Sequence, residues 1–161
     1  MKIKKLLGIT LAAAVLSTTT VAFAKPVQQG AVFYKKGNPS DKIVIEDFLD
    51  SDNRSKNSQN HVEHVVEITK SFKGTLSGTV EVNAFVAKVS VSTSLEYGIS
   101  KTFTIKHTWD IDPRIYYVCQ WGHIQRKVQG RIDRYIDGRV INSRNVNANY
   151  YINPWFGGKV K

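Results

Sequence analysis

The sequence predicts an all-β protein, an antiparallel sandwich or elongated β-sheet with one long amphipathic hairpin, behind a removable leader. Three observations carry this. Apolar residues alternate with polar ones for some forty residues. Val, Ile, Thr and aromatic side chains dominate the same region. A charged start, a short apolar stretch and a small-residue site occupy residues 1–24.

The leader is read first. Lys2, Lys4 and Lys5 precede an apolar stretch from Leu6 to Val15, and Ala22-Phe23-Ala24 stand before Lys25-Pro26. That order is a secretory signal, with small residues where the peptidase must fit them. The apolar core is about 10 residues, half of the roughly 20 that a spanning helix needs. The short basic start and Thr-rich end suit a bacterial exporter, so secretion to the extracellular space is expected. Cleavage after Ala24 leaves residues 25–161 as a single β domain of 137 residues (161 less 24), long enough for a real core.

Of the 23 Lys and Arg, three lie in the leader, leaving 20 against 13 acids and a net charge of about +7. Such a basic chain favours anionic partners. Cys119 is the only cysteine, which excludes an internal disulfide despite export. Its setting between Val118 and Gln120 reads as a buried, inert thiol.

Residues 25–42 read as an extended leading segment, Lys42 to Phe48 as a short strand, and Asp50 to Asn60 as a polar loop. From His64 the chain adopts period two. Val66, Ile68, Phe72, Leu76, Val80, Val82 and Ala84 fall on even numbers; past Phe85-Val86 the parity flips to Ala87, Val89, Val91, Leu95, Tyr97, Ile99, Phe103 and Ile105. Two strands meeting at Phe85-Val86 account for this, with Val82 opposite Val89, Leu76 opposite Leu95, and Lys70 opposite Lys101. Downstream, Asp112-Pro113 breaks the ladder, Arg114 to Gln125 is an aromatic strand, and Gly130 permits a bend. Asp137-Gly138 suits a two-residue hairpin turn, and a last strand through Tyr150 ends at Asn153-Pro154. The total is six to eight strands without a long amphipathic helix.

Residues 74–84 and 87–97 are each 11 long, apolar on one face and Ser/Thr-rich on the other, which is the specification of a transmembrane β-strand. Their tip, Ala84-Phe85-Val86-Ala87, is apolar where an exposed turn prefers Asn, Gly or Asp. This pattern over residues 70–106 resembles the insertion loop of aerolysin-type β-pore-forming toxins, the group that includes the epsilon-toxin and mosquitocidal toxin relatives. The resemblance implies that Ala84, Phe85, Val86 and Ala87 enter the membrane and that copies assemble into a homo-oligomeric barrel. The mature chain is short for that group and shows no separate receptor-binding domain. Alternating strands also describe any half-buried antiparallel sheet.

Trp121, Arg126, Lys127, Arg131 and Arg134 form a basic, aromatic cluster suited to a surface-binding role. An anionic membrane or cell-envelope component fits it; nucleic acid is not expected, because the chain is exported. His61, Glu63, His64 and Glu67 have metal-ligand chemistry but not the His-Glu-x-x-His spacing, and no metal or cofactor is expected. Without a Gly-x-Ser-x-Gly elbow or a phosphate loop, no enzyme activity is expected. Two function classes remain: a secreted membrane-active β protein of pore-forming toxin or antimicrobial type, and a non-lytic secreted β-sandwich that binds an anionic cell-surface or envelope component.

Overall fold

A computed structural model describes residues 27–92 and 94–161; the leader assigned to residues 1–24 lies outside the described residues. The fold is all-β as expected, with six strands and one helix among the described residues: β1 (Gln29–Lys35), β2 (Ser40–Asp52), β3 (Asn60–Gly74), α1 (Gly78–Val89), β4 (Ser100–Ile111), β5 (Tyr116–Ile136) and β6 (Arg139–Val160). Every ladder is antiparallel. β1, β2, β5 and β6 form one layer, and the β3/β4 hairpin packs across part of it.

The axis is the β5/β6 ribbon, 21 and 22 residues long. Asp137 (φ 48°) and Gly138 (φ 78°) close it, both at the positive φ that a type I′ turn requires. Two strands lie end to end along the outer edge of β5: β1 on residues 130–136 and β2 on residues 116–127. Gly130, expected to bend the chain, instead lets β1 approach: a Cβ there would overlap the Tyr34 carbonyl and the Phe33 ring. The expected stop at Asn153-Pro154 is also corrected, because β6 runs on to Val160. A bulge beside Ile152, where Ile124 pairs with Asn153 and Gln125 with Tyr151, relaxes the ladder next to the proline.

Side chains alternate along each strand, so the ribbon has two faces, and a different element covers each. On one face, at the β1 end, Val128, Ile132, Val146, Ala148 and Tyr150 pack with Phe33, Phe72 and α1. On the opposite face, at the other end, Cys119, Trp121 and Tyr151 pack under Val66, Ile68, Trp109 and Ile111 of the β3/β4 hairpin. β3 joins the two regions: residues 72–74 pair with β6, while residues 60–71 pair with β4. Among the described residues, no element covers the opposite end of either face.

The long hairpin is half right. The β3/β4 ladder runs from Asn60↔Ile111 to Ser71↔Ser100, with Lys70 opposite Lys101; paired positions sum to 171, the value the parity flip requires. Beyond Gly74 the two strands do not continue. Residues 78–89 are α1, so Val82 and Val89 lie seven residues apart on one helix rather than across a ladder. Local propensity opposes this helix: Thr79, Val80, Val82, Val86 and Val89 are β-branched among its 12 residues. Tertiary burial overrides that preference. Phe85 is fully buried, with its ring centroid 4.8 Å from Phe33, 5.7 Å from Phe72 and 6.5 Å from Tyr150.

The polar loop begins three residues later than expected, because β2 extends to Asp52. Its first residue, Asn53, is fully buried and donates through Nδ2 to the Ser58 and Asp112 carbonyls, at 3.0 and 2.9 Å. One side chain thus ties the loop to the β4–β5 turn.

Candidate functional site: the α1 segment and the open ribbon faces

The four residues expected at a hairpin tip sit instead on the second and third turns of α1. Phe85 fills the aromatic seat, Ala84 and Val86 are half-buried, and Ala87 is exposed. The helix is held at its start by polar ties. Glu81, 1% exposed, accepts from Arg144 Nη2 at 2.5 Å and from the Ser77 backbone N–H at 2.7 Å. The same guanidinium donates to the Thr75 carbonyl and to Ser77 Oγ. A buried carboxylate is tolerated only with such partners. At the far end Ser90 adopts the left-handed conformation (φ 55°) and its N–H closes on the Val86 carbonyl. Residues beyond are anchored by Leu76 N–H to Tyr97 Oη (2.9 Å) and Gly98 N–H to the Phe72 carbonyl (2.7 Å).

The expected surface-binding cluster is split between the two ribbon faces by alternation. Trp121 is buried against Trp109, with ring centroids 6.0 Å apart, and presents no surface. Arg126 grips Asp41 through two bonds of 2.7 Å; these hydrogen bonds hold the Asp41 carboxyl below its usual range. Arg134 is half-buried on the same side as Arg126, whereas Lys127 and Arg131 emerge on the other side, exposed. Sequence reasoning missed their neighbours there, Gln129, Asn145, Asn147 and Asn149. The signal was available: odd-numbered amides alternate with Val146, Ala148 and Tyr150 along β6.

The histidine-acid set is dispersed as well. His61 pairs with Asp110, Glu63 with Lys106, and His64 lies 5.6 Å from the Trp121 ring. Among the described residues no group of three or more His, Cys, Asp or Glu is placed to hold a metal ion. A tie absent from the sequence reading is Glu46, at the bulge of β2. It accepts from the Thr69 N–H at 2.9 Å and sits 2.5 Å from Nδ1 of buried His123, joining β2 and β5 to β3. Cys119 is fully buried, and burial pushes its thiol above the ordinary value, which keeps it protonated and unreactive.

No protein-family model matches the chain, and no curated protein matches it. Among solved structures it aligns with the crystal structure of a "putative pore-forming toxin" from Bacteroides vulgatus ATCC 8482, at 10% sequence identity and a TM-score of 0.40, over 83% of this chain and 56% of that one. This chain therefore spans little more than half the length of that protein.

Proposed function

We propose that this chain is a secreted, membrane-active β protein in which residues 75–97 leave the α1 seat and continue β3 and β4 into the bilayer. Ala84, Phe85, Val86 and Ala87 form the leading tip. The observation that carries this reading is the register. The β3/β4 ladder already pairs positions summing to 171, so extending it without slippage sets Leu76 against Leu95, Val80 against Val91 and Val82 against Val89. Mostly apolar residues then line one face, and the other is mostly Ser and Thr with Glu81, Asn83, Lys88 and Glu96 among them, the polarity that lipid and lumen require. α1 makes no use of that alternation, and its β-branched content makes it a poor helix outside its seat. Backbone groups at the edges of one hairpin would be unpaired in hydrocarbon, so the membrane form must be a closed assembly of several copies. The reading assigns binding and insertion to the chain, not catalysis, and no cofactor.

The test is dye release from vesicles of phosphatidylcholine with and without phosphatidylglycerol. The chain is expected to release dye, more so with the anionic lipid, given its excess of Lys and Arg over acids. Ala87→Asp is the diagnostic variant. The site is exposed on α1, so the soluble fold should melt within about 1 kcal/mol of the parent. The added charge must nevertheless cross the hydrocarbon at a cost of a few kcal/mol, and release should fall at least tenfold. A parent chain that releases no dye from either vesicle would reject the reading.

A further inference from the structure

Among the described residues, no element covers the other end of the ribbon face that carries Trp121 and Tyr151 under the β3/β4 hairpin, and its chemistry there is uniform. Successive cross-strand rows read Ser40, Lys127, Asn149 and Lys73, then Gln129 and Asn147, then Tyr34, Arg131 and Asn145. Lys36 extends the second row through its N–H to the Gln129 carbonyl. We infer that this half-face is a binding surface for an acidic polysaccharide, because it sets free side-chain amides beside unpaired lysines on one lattice.

Among the described residues, the side-chain amides of Gln129, Asn145, Asn147 and Asn149 make no hydrogen bond within the protein. Lys36, Lys73 and Lys127 form no ion pair. Each amide offers two donors and an acceptor, the complement of neighbouring sugar hydroxyls, and each ammonium a point charge for a carboxylate or sulfate. Strands about 4.8 Å apart, with like-facing residues about 6.8 Å apart, repeat these groups at sugar-ring dimensions. Among the described residues the acid on this half-face, Asp133, is already held by Arg131 and the Ser143 hydroxyl; Glu46 and Asp47 lie at the covered end.

Ordinary solvation looks different in the same molecule. The outer face of β3/β4 mixes signs, with Glu63 paired to Lys106 and His61 to Asp110. A bilayer is a poorer occupant of the lattice, since its central rows carry no apolar side chain to enter lipid. Single-stranded nucleic acid needs open aromatic platforms; of the tyrosines here, Tyr34 is capped by the Arg131 guanidinium at 5.1 Å, and Tyr135 is half-buried with its hydroxyl 3.3 Å from that of Tyr34. This inference stands independently of membrane insertion.

Retention on immobilised alginate, heparin and neutral dextran tests it. The chain is expected to bind the two acidic polymers at physiological salt and not dextran, with affinity falling as salt rises. Lys73→Glu/Lys127→Glu should weaken binding more than tenfold, whereas Lys56→Glu in the distant polar loop should leave it within twofold. Asn145→Ala/Asn147→Ala, which leaves the net charge unchanged, should weaken it at least threefold with an unaltered melting curve. Equal losses from Lys56→Glu and Lys73→Glu/Lys127→Glu would overturn the inference. So would an amide variant that binds like the parent, or binding to anionic vesicles through these lysines with none to either acidic polymer.

Discussion

Replacing Phe85 with Ala is expected to destabilise the soluble protein by about 3–5 kcal/mol, the usual cost of emptying a fully buried aromatic site. The ring touches three other aromatic rings, from β1, β3 and β6, so the cavity would open where the helix meets all three strands. Collapse to fill it is resisted by the ladders on either side. Denaturant unfolding checks this, with Ala87→Ser as the comparison; that residue is exposed on the same helix and should change stability by less than about 0.5 kcal/mol. A loss below about 1 kcal/mol for Phe85→Ala would show that the ring does not hold α1 in place. A Phe at an exposed hairpin tip, as the alternation alone suggests, would give just such a small effect.

Removing the partner of Glu81 should be nearly as costly. Arg144→Met leaves a carboxylate that is 1% exposed without its guanidinium, and breaking a buried pair from one side costs on the order of 3 kcal/mol. The Arg144 side chain is 30% exposed, so water will recover part of that. Glu81→Gln keeps the shape and the bond from the Ser77 N–H, and should cost less. The double variant Glu81→Gln/Arg144→Met should be more stable than Arg144→Met alone, because no buried charge is left stranded. Because this pair ties the first turn of α1 to β6, Arg144→Met should also release vesicle dye faster than the parent. An Arg144→Met protein as stable as the parent would remove the pair from the account of how α1 is held.

Where local chemistry and tertiary structure agree, the fold was legible residue by residue. The Asp137-Gly138 turn, the buried Cys119 and the register of β3 on β4 all follow from turn preference, setting and parity. α1 was not legible. Its valines and threonine speak for a strand, and what makes it a helix is a seat assembled from Phe33, Phe72 and Tyr150. Two of those rings come from strands at opposite ends of the chain, β1 and β6, where no local pattern around Phe85 could reveal them. The candidate surface was obscured for a simpler reason. Arg126, Lys127, Arg131 and Arg134 are neighbours in sequence, whereas alternation along β5 sends the first and last to one face and the middle two to the other. The Asp137-Gly138 turn alone would set Lys127 against Ala148 and Arg131 against Arg144; a bulge at Ile141, between the Tyr135–Val140 and Arg134–Asn142 pairs, shifts the register by one and brings Asn149 and Asn145 beside them.

Cysteine pairing of V82C/V89C reports on the proposed exchange of a helix for a hairpin by residues 75–97, in the register already set by β3 and β4. In α1 these positions are separated by about 10.5 Å of helix rise, beyond the reach of a disulfide. Across the extended ladder they face each other with Cα atoms about 4.5–5.5 Å apart. The native Cys119 is fully buried on another element and does not compete. Peptide mass spectrometry after mild oxidation should find no intramolecular 82–89 bridge in buffer and a predominant one on vesicles that are releasing dye. Dye release with positions 82 and 89 still unbridged would contradict the hairpin, and a bridge formed readily in buffer would contradict the helix it is said to replace.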